Sequence, residues 1–460
     1  MKLIYQVEDR PKTGELIMFA VQQLLAIMTA TLVVPIIVGH DMDSSAALFG
    51  AGVGTLVYIL FTKKKSPVFL GSSFAFINSM LAAFAGGVSM SLGYLGMMLG
   101  ALMAGLVYVV IALIVKKIGV AWINRLMPAV VVGPTVAIIG LSLAGNAVGD
   151  LTHSGVTGNK YQVATALVCV FCGLVTLAVT MLCSTFGKKM TRLIPFIIGI
   201  LAGYVTSILF TLVGMAADIE SIQITSFDSF KALVDGGVSV ETFFRIPDFT
   251  FLKGLKAFDE LDLSYIGTVA VAYVPVAFVV FAEHIADHKN ISSIIERDLL
   301  EDPGLSRTLL GDGVGSMAGA FFGGCPNTTY GESIGCVAIT KNASVVSIMA
   351  AAFGAIIISF FSPFIALVNS IPSCVMGGVC MALYGFIAVS GLKMIQDVDL
   401  NKNKNLFVVS VILIAGIGGM SMTFGKVTIT NIAVALILGI LTNLLLKNAK
   451  EEDDGQQVSK

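Results

Sequence analysis

Two carboxylates stand where the surrounding residues are apolar. Glu332 sits in the run Asn327-Thr328-Thr329-Tyr330-Gly331-Glu332-Ser333-Ile334-Gly335, and Glu283 in VAYVPVAFVVFAEHIADH. An ionised group at membrane depth is costly, so such a residue marks a substrate or proton path, or else locks two helices together. Asp287 follows Glu283 by four residues and shares its helical face. It reads either as a relay passing protons to the deeper glutamate or as an ordinary interfacial carboxylate beside Lys289. His284 points away from that face and reads as a packing residue, with His288 on the adjoining turn. Gln22 and Gln23 lie in LIMFAVQQLLAIM, where an amide bonds either across helices or to a ligand. Tyr384, in MALYGFIAVSG, is read as a cavity wall or a helix interface. Gly331 and Gly335 are positions where a ligand could approach the backbone closely.

The elements that must hold these residues are membrane spans. Of 460 residues 56% are hydrophobic and only 12% charged, with a mean hydropathy of +0.91. A soluble chain carries about twice that share of charge. The net charge of −1 gives no sign of nucleic-acid binding. The polar start MKLIYQVEDRPKTGEL lacks the apolar core of a signal peptide, so the first apolar run is expected to remain as a span. Seven cysteines fall in or near apolar runs, where cysteine behaves as a small buried hydrophobe. Cys169 and Cys172 spell C-x-x-C without the strand-to-helix context of a redox site. No metal, disulfide or cofactor is expected.

Runs long enough to span, or to half-span if shielded by neighbours, occur near 15–38, 44–61, 69–86, 92–116, 126–147, 161–185 and 193–215. A mixed stretch over 216–264 intervenes. Seven more runs follow, near 265–288, 308–323, 328–341, 343–368, 370–391, 405–422 and 425–446, before a polar tail. With the N-terminus placed in the cytoplasm, all but six of the 28 Lys and Arg fall on cytoplasmic pieces, in groups such as Lys63, Lys64, Lys65 and Lys188, Lys189, Arg192. The six are Lys160, Lys231, Arg245, Lys253, Lys256 and Lys426. The expected fold is therefore an all-α polytopic membrane protein of fourteen segments with both ends cytoplasmic.

Seven segments per half is an odd number, so two similar halves would run in opposite directions, as in the inverted repeats of secondary transporters. The third segment of each half is short and polar: Gly71-Ser72-Ser73-Phe74-Ala75-Phe76 in one, Pro326-Asn327-Thr328-Thr329-Tyr330-Gly331 in the other. Each is expected to form a brief extended strand leading into a half-helix, in segments three and ten. Such strands meeting at mid-membrane would offer backbone N–H groups, and the helix ends partial positive charge, to a polar ligand.

The run Glu332-Ser333-Ile334-Gly335 with Thr340-Lys341 resembles the signature [Q/E]-N-x-G-x-x-x-x-T-[R/K/G] of the nucleobase-ascorbate transporter family, also called nucleobase:cation symporter-2. NTTYGESIG, GSSFAF, AEH, DPGL and PSCVMGGVCMALYG are most similar to its bacterial uracil-transporting branch. The resemblance covers the chain apart from residues 216–264 and the tail. It implies a core domain (1–118 and 265–368) and a gate domain (119–215 and 369–446), an extracytoplasmic loop (216–264) and a cytoplasmic tail (447–460). It also implies proton-coupled uracil uptake across a bacterial cytoplasmic membrane, an elevator-like movement, and a homodimer joined through gate domains. Substrate contacts carried over by motif position are Glu283, Glu332, the backbone at Phe74 and Gly331, Tyr330 and Tyr384, with Glu283, Asp287 and Gln23 in proton coupling. Three positions depart from the branch: Gln22-Gln23 replaces Gln-His, Asp287 replaces a histidine one turn after the glutamate, and Ser333 replaces asparagine.

A carboxylate only accepts hydrogen bonds, whereas glutamine both donates and accepts. Two glutamates thus suit the ring N–H groups of uracil. Xanthine and urate carriers of the family typically have glutamine at the position of Glu332; xanthine also has ring N–H groups and remains the alternative substrate. An anion exchanger of similar architecture is the more distant alternative, disfavoured by carboxylates facing the site. No nucleophile, ligand cluster or phosphate loop points to an enzyme.

Overall fold

The computed structural model describes residues 3–119, 122, 128–154, 164–188, 190–235, 237–396, 398–424 and 427–448. Lys2, Arg125, Lys160, Lys189 and Lys426, and the tail from 449 onward, lie outside them. The first half of the chain holds α1 (Thr13–Val38), α2 (Ser44–Phe61), β1 (Leu70–Ser72), α3 (Ile77–Ala83) and α4 (Met90–Ile118). It continues with α5 (Ala129–Ser142), α6 (Ala144–Leu151), α7 (Ala166–Phe186) and α8 (Pro195–Ala217). The second half has α9 (Leu263–Ile295), α10 (Leu305–Gly323), β2 (Asn327–Thr329), α11 (Gly331–Thr340), α12 (Val345–Ile358) and α13 (Ser362–Asn369). It ends with α14 (Ser373–Met394), α15 (Asn403–Ile417), β3 (Met422–Phe424), β4 (Val427–Ile429) and α16 (Asn431–Leu445). Among the described residues eight helices are long and apolar enough to cross a membrane, and shorter apolar helices include α12, α15 and α16.

The order helix, helix, strand, short helix, helix occurs twice, as α1-α2-β1-α3-α4 and α9-α10-β2-α11-α12. The two strands pair antiparallel, with Leu70 opposite Thr329, Gly71 opposite Thr328 and Ser72 opposite Asn327. After Ser73 the chain turns into a 3-10 helix over Phe74–Phe76 that runs on into α3. The expected single run 343–368 is broken between α12 and α13, where Phe360 O accepts from Arg245 N at 3.0 Å and Pro363 starts a new helix. The hairpin β3–β4 replaces the ends of two expected spans, 405–422 and 425–446. Residues 216–264 are also more ordered than a plain loop, with short helices at Asp228–Val234, Val240–Phe243 and Thr250–Gly254.

The helices pack in two groups. In one, α2 lies against α10, α12 and α1, and α4 lies against α9 and α10. In the other, α14 is central to α5, α6 and α7, while α7 packs on α8 and α15 on α16. Small residues permit this closeness: a Cβ on Gly54 would stand 2.7 Å from Gly315 O, and one on Gly315 equally close to Gly54 O. These helices touch backbone to backbone, as packing without a hydrophobic drive between helices requires. The groups meet where α9 contacts α5, α16 and β4, and where a turn at Met190–Leu193 reaches α1 and α11.

Candidate functional site

The strand pair is pinned from both sides. Leu70 N donates to Thr55 Oγ1 of α2 at 2.9 Å, and Ser73 N donates to Pro326 O at 2.9 Å. Asn327 is wedged between α2 and α10, where its Nδ2 donates to Gly50 O at 3.0 Å. Irregular backbone is tolerated at membrane depth only under such cover. Beyond the strands the 3-10 turn at Phe74 and helix α11 at Gly331 begin. First-turn N–H groups have no partner inside their own helix, so both starts offer donors.

These two starts and the middle of α9 border one cavity of about 410 Å³, within the usual range of small-molecule pockets. Glu283, Asp287 and Glu332 all line it, with Phe74, Tyr330 and Gly331. A Cβ on Gly331 or Gly335 would meet nothing within 4 Å, so both glycines present bare backbone to open space. The opposite wall belongs to the second group of helices and is mostly apolar, with Val136, Ile139, Phe196, Leu383 and Phe386, broken by Ser184, Ser390 and the nearby Arg192. Glu332 lies in the first turn of α11, where the helix end favours negative charge. Asp287 is inside the site rather than at an interface: its Oδ2 accepts from Thr329 Oγ1 of β2 at 2.6 Å.

Three candidates take other places. Tyr330 borders the cavity, but its hydroxyl donates to Ser72 O at 2.6 Å, so its polar end ties α11 to β1. Tyr384 is not in the cavity wall; it sits behind Phe74, edge to face, with ring centres 6.0 Å apart. Gln23 is also outside the wall. Its amide donates to Ser333 Oγ, which in turn accepts from Phe69 N at 3.0 Å, so Gln23 braces the residue beside Glu332.

One buried cluster joins His284 and His288 to residues that the sequence did not single out. Asp312 of α10 is 1% exposed, and its Oδ2 lies 2.7 Å from His284 Nδ1. His284 Nε2 lies 3.0 Å from Thr308 Oγ1. The His284 ring stacks on His288 at 4.0 Å, and His288 Nε2 is 2.7 Å from the Tyr58 hydroxyl. His284 is thus a polar clamp between α9 and α10 rather than simple packing. Asp312 was open to the argument applied to Glu283, a lone acid in an expected span, but its glycine-rich surroundings (GDGVG) blur that signal.

A model described as "Permease family" matches residues 14–424. The chain is 40% identical over 468 residues to a uracil permease of Bacillus caldolyticus, covering 100% of both. To a uracil permease of Bacillus subtilis it is 37% identical over 450 residues, covering 97% of this chain and 96% of that one. Among solved structures, the transmembrane domain of a cyanobacterial bicarbonate transporter, BicA, superposes with a TM-score of 0.62 at 14% identity, covering 95% of this chain and 100% of that one. At that identity the likeness concerns the fold alone.

Proposed function

The chain belongs to this permease family, and from that premise we propose that it is a uracil transporter coupled to protons. It is a multi-pass membrane permease and not an enzyme. The observation that carries the reading is the convergence of Glu283 and Glu332 with the helix starts at Phe74 and Gly331 on one cavity. Carboxylates accept from the two ring N–H groups, and first-turn N–H groups donate to the two carbonyls. Phe74 supplies an apolar ring surface. A base with a mismatched pattern leaves buried groups unpaired at about 1–3 kcal/mol each, which at the upper end is roughly a hundredfold in affinity. Three carboxylates outnumber the one arginine, Arg192, on this cavity, which counts against exchange of bicarbonate or sulfate despite the shared fold.

In this reading the group holding α1–α4 and α9–α12 is the moving core, and the group around α14 is the gate. The recurrence of five elements in the same order, with β1 antiparallel to β2, supports two inverted seven-segment halves and so fourteen segments. The cavity reaches Arg192, Ile339 and Met394, near Lys341 and Lys393. By the positive-inside rule that is the cytoplasmic side, so both ends of the chain face the cytoplasm of a bacterium and this state is inward-open. Asp287, held by Thr329 next to the glutamates, takes the relay role. Substrate and proton leave together when the core slides past the gate, and two copies associate through gate domains. Uptake of radiolabelled uracil into proteoliposomes tests the proposal. Uptake driven by an inward proton gradient and unaffected by excess xanthine is expected. Uptake indifferent to the gradient removes the coupling, and suppression by xanthine redirects the site to purines.

A further inference from the structure

We propose that the segment Leu3–Asp9, ahead of α1, is a positioning strap that holds the two carboxylate-bearing helices in register from their far ends. The inference rests on the substrate site proposed above.

Helix α11 has ten residues, about 15 Å of rise. Its first turn carries Glu332 into the cavity, which follows the helix as far as Ile339; the helix closes at Lys341, whose φ of 57° ends it. Carbonyls at a helix C-terminus lack partners in their own helix, and here the strap supplies donors to that of Lys341. Ile4 N and Tyr5 N donate to Lys341 O at 2.8 and 3.4 Å. The pairing then continues along the next residues: Ala343 N donates to Tyr5 O at 3.0 Å, Val345 N to Val7 O at 3.1 Å, and Ser344 Oγ to Asp9 O at 2.6 Å. Val7 is 1% exposed and Leu3 9%, and both belong to the apolar core that includes Ile334 and Val337 of α11.

The same strap reaches α9. Arg297, two residues past the last turn of that helix, donates from Nη1 to Glu8 Oε1 at 2.5 Å. Seven residues therefore bridge the ends of the helix bearing Glu283 and Asp287 and the helix bearing Glu332. A short helix moves as a rigid rod, so a shift at Lys341 is carried to Glu332. Two carboxylates that must face two N–H groups of one flat ring tolerate little of it.

The test compares E8R, R297E and the exchanged pair E8R/R297E in proteoliposomes, with the amount of inserted protein measured for each. The pair is half exposed, so the expected effect of either single reversal is a rise in uracil KM of roughly two- to fivefold. Vmax per inserted transporter is expected to hold, and the exchanged pair to return KM toward the starting value. Reversal of Asp228 and Lys231, an exposed pair at 3.1 Å far along the chain, is expected to leave KM unchanged. Should E8R insert poorly, E8Q gives the same comparison at the low end of the range. A lowered unfolding temperature with unchanged KM, or a double variant no better than the singles, overturns the strap's positioning role. Unmodified protein that takes up no uracil overturns the proposed function, and this inference with it.

Discussion

Replacing Gly71 by alanine probes the crossing of β1 and α11 most sharply. A Cβ built there would lie 2.3 Å from Tyr330 Cε2, 2.5 Å from Cζ and 2.9 Å from Thr31 Oγ1. The ring cannot simply swing aside, because its hydroxyl is held at 2.6 Å by Ser72 O and Tyr330 is the residue from which α11 starts. Inserting a methyl group into a packed interior costs about 1–3 kcal/mol. Breaking the Tyr330 bond and stranding a buried carbonyl adds about 1 kcal/mol. If the first of these falls wholly on the arrangement of Gly331 and Glu332, uracil affinity drops by about 5- to 150-fold. The assay is equilibrium binding of radiolabelled uracil to purified protein, with a thermal unfolding scan alongside. Once Tyr330 is removed only the 2.9 Å approach to Thr31 Oγ1 remains, so G71A is expected to cost clearly less on a Y330A background than in the unmodified protein. Full affinity in G71A, or simple additivity of the two changes, would refute the claim that this contact sets the position of α11.

Other outcomes follow from the same geometry. T329V removes the donor to Asp287; a hydrogen bond to a charged group is worth about 1.5–3 kcal/mol, so gradient-driven uptake is expected to fall while uracil-for-uracil exchange, which moves no net proton, persists. Equal loss in both modes contradicts a relay. H284L leaves buried Asp312 without its partner and is expected to lower the unfolding temperature, with part of the loss recovered in H284L/D312L; a silent H284L excludes the clamp. Arg297 beside Glu8 holds that carboxyl below the usual carboxylate range. A group whose folded value is depressed contributes above its unfolded value, about 4.3 for glutamate, and loses that contribution as pH falls through the folded value. Hydrogen exchange at the Ala343 and Val345 amides is therefore expected to quicken at acid pH relative to its intrinsic rate, and to show no such onset in E8Q.

How far the molecule could be read from its sequence depended on whether a signal was local. Lone acids in apolar runs stand out residue by residue, which is why Glu283 and Glu332 were legible, and polar breaks such as Gly71-Ser72-Ser73 marked the half-helices. Side-chain direction was not legible. Tyr384 and Gln23 sit at suitable depth, yet Phe74 covers one and Ser333 takes the amide of the other. Tyr330 adjoins the cavity, but a carbonyl brought in from a strand some 250 residues away claims its hydroxyl. The break between α12 and α13 has a local mark, Pro363 in the first turn of α13, but the bond from Arg245 N to Phe360 O is a long-range partner that hydropathy cannot register. The β3–β4 hairpin carries a local signal, Met422-Thr423-Phe424 and Val427-Thr428-Ile429 alternating apolar residues with threonine, but threonine is too weakly polar to end a span read by hydropathy alone.

The most direct measurement is calorimetric titration of uracil into unmodified protein, E283Q and E332Q at neutral and acid pH. If the two carboxylates hold the ring N–H groups, each replacement weakens binding by about 1–3 kcal/mol, roughly 5- to 150-fold. Acid pH tightens binding to the unmodified protein, since proton and uracil favour the same state and linkage is reciprocal. Both variants binding uracil as tightly as the unmodified protein would contradict the account at its centre.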